Sequence, residues 1–179
     1  MKKSYVRLIF LGLFLGLSHQ AHAQSTPTPI FNEGEYAVGP NDFEVNFSIT
    51  PAIIRGSGGS EEVFGVRLGG NYFVTQILAP GLEFNLDSGS GFTSFRFLPN
   101  LKIFMPMENS RILPYAMVGF GYAREVGNNF ASFSIGSGVN YLLSQNVAVG
   151  AQLRYDLGAG SETLHKVQLP IQFAIYFSI

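Results

Sequence analysis

The sequence contains no cysteine and no tryptophan, and charged residues make up only 13% of its 179 positions. Without cysteine there is no disulfide framework, no thiol nucleophile and no thiolate metal site. A lipid anchor on an N-terminal cysteine is excluded as well. The charge content is about half the roughly 25% usual for soluble domains, while the apolar share, 46%, is ordinary. That combination arises when apolar and small polar residues alternate. Past the N-terminal segment, no run approaches the ~18 consecutive apolar residues that mark a membrane-spanning helix. A chain of this kind that crosses a membrane has to do so as a closed β-barrel, because only helices and closed sheets satisfy every backbone group in lipid. The length fits one domain.

What is present begins with a processing segment. Lys2, Lys3 and Arg7 give a positive start, Leu8 to Leu17 form a short apolar run, and Ala21-His22-Ala23 is a small-x-small cleavage site. Residues 1–23 are therefore expected to be a signal peptide. Removing Lys2, Lys3 and Arg7 leaves 8 basic against 12 acidic residues. Such a chain has no electrostatic case for nucleic acid. Residues 24–42, with Pro27, Pro29 and Pro40, read as a flexible periplasmic lead-in.

From Phe43 the period becomes two and stays there. Phe43, Val45, Phe47, Ile49, Pro51 and Ile53 share one face of the first run. Later runs repeat the pattern, with Phe64 to Tyr72, Leu78 to Leu86, Phe95 to Ile103, Phe133 to Tyr141, Val147 to Tyr155 and Val167 to Ile179. The segment 113–124 is apolar on both faces, and Val118, Phe120 and Tyr122 are the favoured outward set. The outcome is eight alternating segments of about ten residues, the length a tilted strand needs to cross the hydrocarbon. Gly- and Ser-rich loops are expected at 55–62, 88–91, 125–128 and 158–163, with short turns near 75–76, 106–111 and 144–146. An even strand count places both ends of the barrel on one side. The fold class is all-β, an eight-stranded antiparallel up-and-down transmembrane β-barrel over residues 43–179.

Charges give a partly independent check on which face meets lipid. Glu44, Arg67, Glu83, Arg96, Lys102, Arg154, Asp156 and Lys166 all fall on the polar parity. A lysine or arginine on the lipid face near mid-membrane costs about 2–4 kcal/mol. The alternative is a soluble lipocalin-like carrier, apolar inside and wet outside. Its outer face should be rich in Lys and Glu, whereas the polar parity here is mostly Gly, Ser, Asn and Ala. Tyr72, Tyr115 and Tyr141 near one end, and Tyr122 and Tyr155 near the other, fit two aromatic girdles.

The residues 113–122, Leu-Pro-Tyr-Ala-Met-Val-Gly-Phe-Gly-Tyr, resemble a strand common in small outer-membrane β-barrels of the OmpA/OmpX type. The terminal pattern Gln172-x-Ala174-x-x-Phe177-x-Ile179 resembles that family's assembly signal. It departs from the family where Ala174 stands for glycine and Ile179 for an aromatic residue. The resemblance covers residues 43–179 and implies a porin-like barrel of the outer membrane. It also implies contact with outer-membrane lipid and lipopolysaccharide, passage through periplasmic chaperones and the barrel assembly machinery, and a monomeric state. The same scaffold serves many functions, so it names no activity.

Eight strands leave an interior about wide enough for side chains alone. The inward charges are therefore expected to fill the lumen as a paired network, with Arg67, Glu83 and Arg154 at similar heights and in contact. Lipid A deacylases on this scaffold resemble a His-x-Ser-Asn pattern. Here His165 is followed by Lys166 and Val167, and Ser161 and Glu162 sit in a Gly-Ser loop, so no catalytic set is assembled. No cofactor or clustered metal-ligand pattern is seen. The loops are short, with Phe92 and Phe130 at their margins. The expected function is a non-enzymatic barrel contributing to envelope structure or surface interaction. A narrow pore for small solutes or apolar molecules is the alternative.

Overall fold

The structure is a computed structural model, and it describes residues 38–56, 59–89, 93–107, 110–125, 128–160 and 163–178. The expected signal peptide, residues 1–23, and residues 24–37 of the expected lead-in lie outside the described residues. So do Phe92, Ser161, Glu162 and Ile179.

The strands are β1 (Asp42–Gly56), β2 (Gly59–Tyr72), β3 (Leu78–Ser88), β4 (Thr93–Phe104), β5 (Ile112–Glu125), β6 (Asn128–Leu142), β7 (Val147–Ala159), β8 (Thr163–Gln168) and β9 (Ile171–Ser178). Each pairs antiparallel with its neighbour in sequence, up to β7 with β8 and β9. β8 and β9 are two halves of one eighth strand. Both pair on their other side with β1, which closes the sheet into a barrel. Among the described residues no strand is left without a neighbour on either side, as a barrel in lipid requires. Among the described residues, no helix is long and apolar enough to cross a membrane.

The expected single eighth strand is interrupted at Leu169–Pro170. Proline has no N–H to give to the ladder. Bonds to both neighbours still bridge the gap, Leu169 N–H to the Pro51 carbonyl at 3.1 Å and Gln152 N–H to the Pro170 carbonyl at 3.0 Å. In the loops expected at 55–62 and 125–128, the described residues are strand, with Arg55 paired to Ser60, Ile53 to Glu62, and Glu125 to Asn128. Glycine and serine do not stop a ladder once register is set, because the bonds belong to the backbone. The barrel also starts before Phe43. Val38 is buried in the barrel mouth. Asn41 N–H bonds the Phe73 carbonyl at 2.9 Å, with Asn41 at φ 72°, a conformation that asparagine tolerates.

The two faces of the wall are inverted relative to a soluble protein. Outside lie large apolar side chains such as Phe120 (66% exposed), Ile171 (59%) and Phe64 (55%). Inside lie charges and amides. Val118, Phe120 and Tyr122 of β5 do point outward. Tyr72, Tyr141, Tyr122 and Tyr155 are outward too, but Tyr115 is buried in the lumen and belongs to no girdle. Its position in the alternation, odd where the outward set is even, dictates this. Phe130 is likewise buried and not a loop anchor. The narrow interior leaves no room for side chains at some positions. A Cβ on Gly81 would sit 2.2 Å from the Asn71 amide, and one on Gly138 would sit 2.6 Å from the Tyr115 ring.

Candidate functional site in the barrel lumen

Alternation turns every second residue of each strand into the lumen, and eight strands make that lumen narrow enough for side chains to meet across it. The eight charged residues read as inward from the sequence are all buried there. Asp87, which the sequence reading left out, joins them. It continues the inward series Glu83, Asn85 by one more step, so strict alternation would have found it.

The lumen is layered. At the end carrying Asp42 and Ser178, the filling is apolar, with Val38, Phe73, Phe104, Leu113, Tyr115, Leu142 and Tyr176 forming a plug with Leu98 and Met117. Phe73 stacks at 4.9 Å from Phe104 and 6.2 Å from Tyr176, and Phe104 at 5.4 Å from Tyr115. The Tyr176 hydroxyl accepts from Asn140 at 2.7 Å, which meets the usual need of a buried tyrosine. Alternation alone predicts a polar filling for this parity. The signal against it was present: Phe73 follows Asn71, Phe104 follows Lys102 and Leu142 follows Asn140 on the same face.

Above the plug, Lys102 Nζ lies 2.5 Å from Glu44 Oε1 and 5.1 Å from the centre of the Tyr115 ring. Asn46 donates to the same Glu44 oxygen at 2.8 Å, and Asn71 donates to Asn100 at 2.8 Å.

The middle layer is a chain of charges alternating in sign: Arg67, Glu83, Arg154, Asp156, Arg96. Arg67 Nε is 3.2 Å from Glu83 Oε1, and Arg154 bonds the same oxygen from the opposite wall. Arg154 Nε reaches Asp156 at 2.7 Å, and Arg96 binds the other Asp156 oxygen. Arg67 also donates to Gln152 at 2.8 Å, Gln168 at 2.7 Å and Asn85 at 2.9 Å. Ser134 donates to Asp156, and its oxygen accepts from Arg154 at 3.0 Å. Higher still, Lys166 of β8 pairs with Asp87 of β3. A small apolar cap of Ala52, Ile54 and Val63, with Leu164, follows.

These contacts act as struts. They tie β2 and β3 to β7, β4 to β7, β4 to β1, and β8 to β3. Each buried ion costs several kcal/mol to desolvate, and each of these carboxylates meets at least one cation, while Glu44 Oε2 is buried without a hydrogen-bond partner. The arrangement fixes strands across the lumen. Among the described residues, no serine in it meets a histidine: His165 lies on the outer face, and Ser134 is engaged by Asp156 and Arg154. Among the described residues, no three side chains of His, Asp or Glu gather as a metal site. Of the assembly-signal residues, Gln172 and Ala174 face inward and Phe177 outward.

No protein-family model matches the sequence, and no curated protein matches it. Solved structures do. Neisserial surface protein A is 18% identical over 75% of this chain and 97% of its own, with a TM-score of 0.66. The N-terminal β-barrel domain of Pseudomonas aeruginosa OprF is 16% identical over 78% and 100%, with a TM-score of 0.56. The outer-membrane enzyme PagL is 15% identical over 72% and 98%, with a TM-score of 0.50. At such identities the likeness is one of fold, and proteins with different roles share it. The chain is a closed eight-stranded antiparallel β-barrel with the fold of the small outer-membrane β-barrels.

Proposed function

We propose that this protein resides in the outer membrane as a closed, non-conducting and non-enzymatic barrel that contributes to envelope structure, with its hairpin end outward and its plugged end toward the periplasm. The observation that carries this reading is the filling of the lumen. An aromatic plug lies in series with a cross-lumen chain of ion pairs, so a solute path would require both to open. The apolar outer wall supports the membrane location, because exposed side chains such as Phe120 and Ile171 have no other solvent. PagL, of the same fold, is an enzyme, so the reading against catalysis turns on the residues: among the described ones no histidine meets a serine, and the carboxylate that Ser134 donates to is held by Arg154 and Arg96.

The test is planar-bilayer conductance of refolded protein that shows a heat-modifiable gel shift. The expected trace is silent. Discrete conductance steps would overturn the closed-barrel reading in favour of a narrow pore.

A further inference from the structure

The outer wall is not uniformly convex. Over β5 and β6, two small residues, Ala116 and Ser137, sit side by side in register, flanked in the same row by Ile103 and Leu153. They floor a groove of about 670 Å³ whose walls include Val118, Ile135, Tyr155 and Val167. Apart from the Ser137 hydroxyl and the Tyr155 phenol, the outward side chains of this groove are apolar.

The groove has a polar end. Tyr155 leads from it to His165, the phenol oxygen lying 2.5 Å from His165 Nδ1. Two residues separate the Ala116/Ser137 row from the Tyr155/Val167 row, and two more reach His165. At ~3.3 Å per residue, that is about 13 Å along the strands. His165 pairs across β8 and β1 with Arg55, and both side chains are exposed at the hairpin end. In the tautomer in which the tyrosine donates to Nδ1, Nε2 of the imidazole carries the proton and is a second outward donor beside the guanidinium. Glu62, facing outward on β2 opposite Ile53, is the acidic neighbour.

An apolar trough ending in an arginine and an imidazole donor has the shape and polarity of one amphiphile: an acyl chain in the trough and a phosphate at its outer end. Arginine recognises phosphate through charge-assisted hydrogen bonds that are stronger than neutral ones. We propose that this face holds a phosphate-bearing lipid of the outer leaflet, with the acyl chain over Ala116 and Ser137 and the headgroup phosphate on Arg55 and His165. The proposal rests on the membrane reading above.

The probe is lipid A, compared with the same lipid stripped of its phosphates, added to the refolded barrel in detergent and read by native mass spectrometry. One retained lipid A per barrel is expected. Dephosphorylation of the lipid, or Arg55→Ala, lowers retention about tenfold, as loss of a charge-assisted contact should. Glu62→Gln raises it. Ser137→Phe fills the trough and removes retention of both lipids, with Ala116→Leu as a second groove variant should the first fail to fold. Equal retention of the two lipids, or retention indifferent to both groove variants, overturns the proposal. A dimer that Ser137→Phe dissolves would instead assign the groove to a second copy of the chain. Failure of the membrane reading looks different: no heat-modifiable shift and no lipid of any kind retained.

Discussion

Two parts of the same lumen are filled in opposite ways. The plugged end uses aromatic volume, with Phe73, Phe104, Tyr115 and Tyr176 packed ring to ring. The middle uses charge, with five ionic groups in a chain that alternates in sign. Both occupy an interior that eight strands make narrow, yet they fail differently. An aromatic plug loses contact area when one ring is removed and leaves no group in electrostatic distress. A chain of ions transmits each deletion to its neighbours, because a carboxylate stripped of its cation stays buried. The plug is therefore a graded filling and the ionic layer an all-or-none one.

The largest expected effect follows from that asymmetry. Arg154 serves both Glu83 and Asp156. Replacing it with alanine takes one cation from each of two carboxylates, which keep Arg67 and Arg96 respectively; two charge-assisted contacts at about 1.5–3 kcal/mol each put the loss at about 3–5 kcal/mol. Urea titration of the folded barrel in detergent should show a fall in the midpoint of that size, with conductance still silent. A loss below about 1 kcal/mol would mean that water reaches the layer and that surface values apply.

Phe104→Ala probes the other filling. A buried phenylalanine truncated in a packed interior costs about 3 kcal/mol or somewhat more, depending on how far the site collapses. Phe104 touches both Phe73 and Tyr115, so a cavity opens between rings that have room to lean inward. The expected loss lies at the lower end of that range and below the Arg154 effect. The reverse ranking, measured by the same titration, would end the distinction drawn between the two fillings.

Strand number and wall polarity were readable because alternation is a direct consequence of the pleat, and because a misplaced charge in lipid is costly enough to be visible by its absence. The contact of Glu83 with Arg67 and Arg154 could be anticipated from equal heights above the turns. The plug could not be read with the same rule. Phe104 and Leu142 lie on the parity that carries Lys102 and Asn140, and a two-letter pattern has no symbol for an apolar residue facing an apolar lumen. Asp87 was missed at a strand end, where Ser88-Gly-Ser suggested a loop. The break at Pro170 and the extension of β1 and β2 to Gly56 and Gly59 depend on which backbone groups find partners, which side-chain patterning does not encode. The surface groove depends on Ala116 and Ser137 lying side by side, and that requires the register of β5 on β6.

The smallest expected effect is the sharpest check on why the charges are there. Among the described residues, Glu44 and Lys102 form the ion pair that borders the plug, with Lys102 over the Tyr115 ring. Lys102→Met alone strands Glu44, which keeps the amide of Asn46, and should cost about 3 kcal/mol, at the low end for a broken buried pair. Adding Glu44→Gln removes the stranded charge, keeps an acceptor for Asn46 and extends the apolar filling upward by one layer. Replacing both members of a buried pair is often neutral, so the double variant should lie within about 1 kcal/mol of the parent. A double-mutant cycle reads this directly, as a recovery of roughly 2 kcal/mol on adding the second change. If the double variant is as damaged as the single one, the pair contributes positively to stability, and the boundary between plug and ionic layer is set by more than the need to neutralise buried charge.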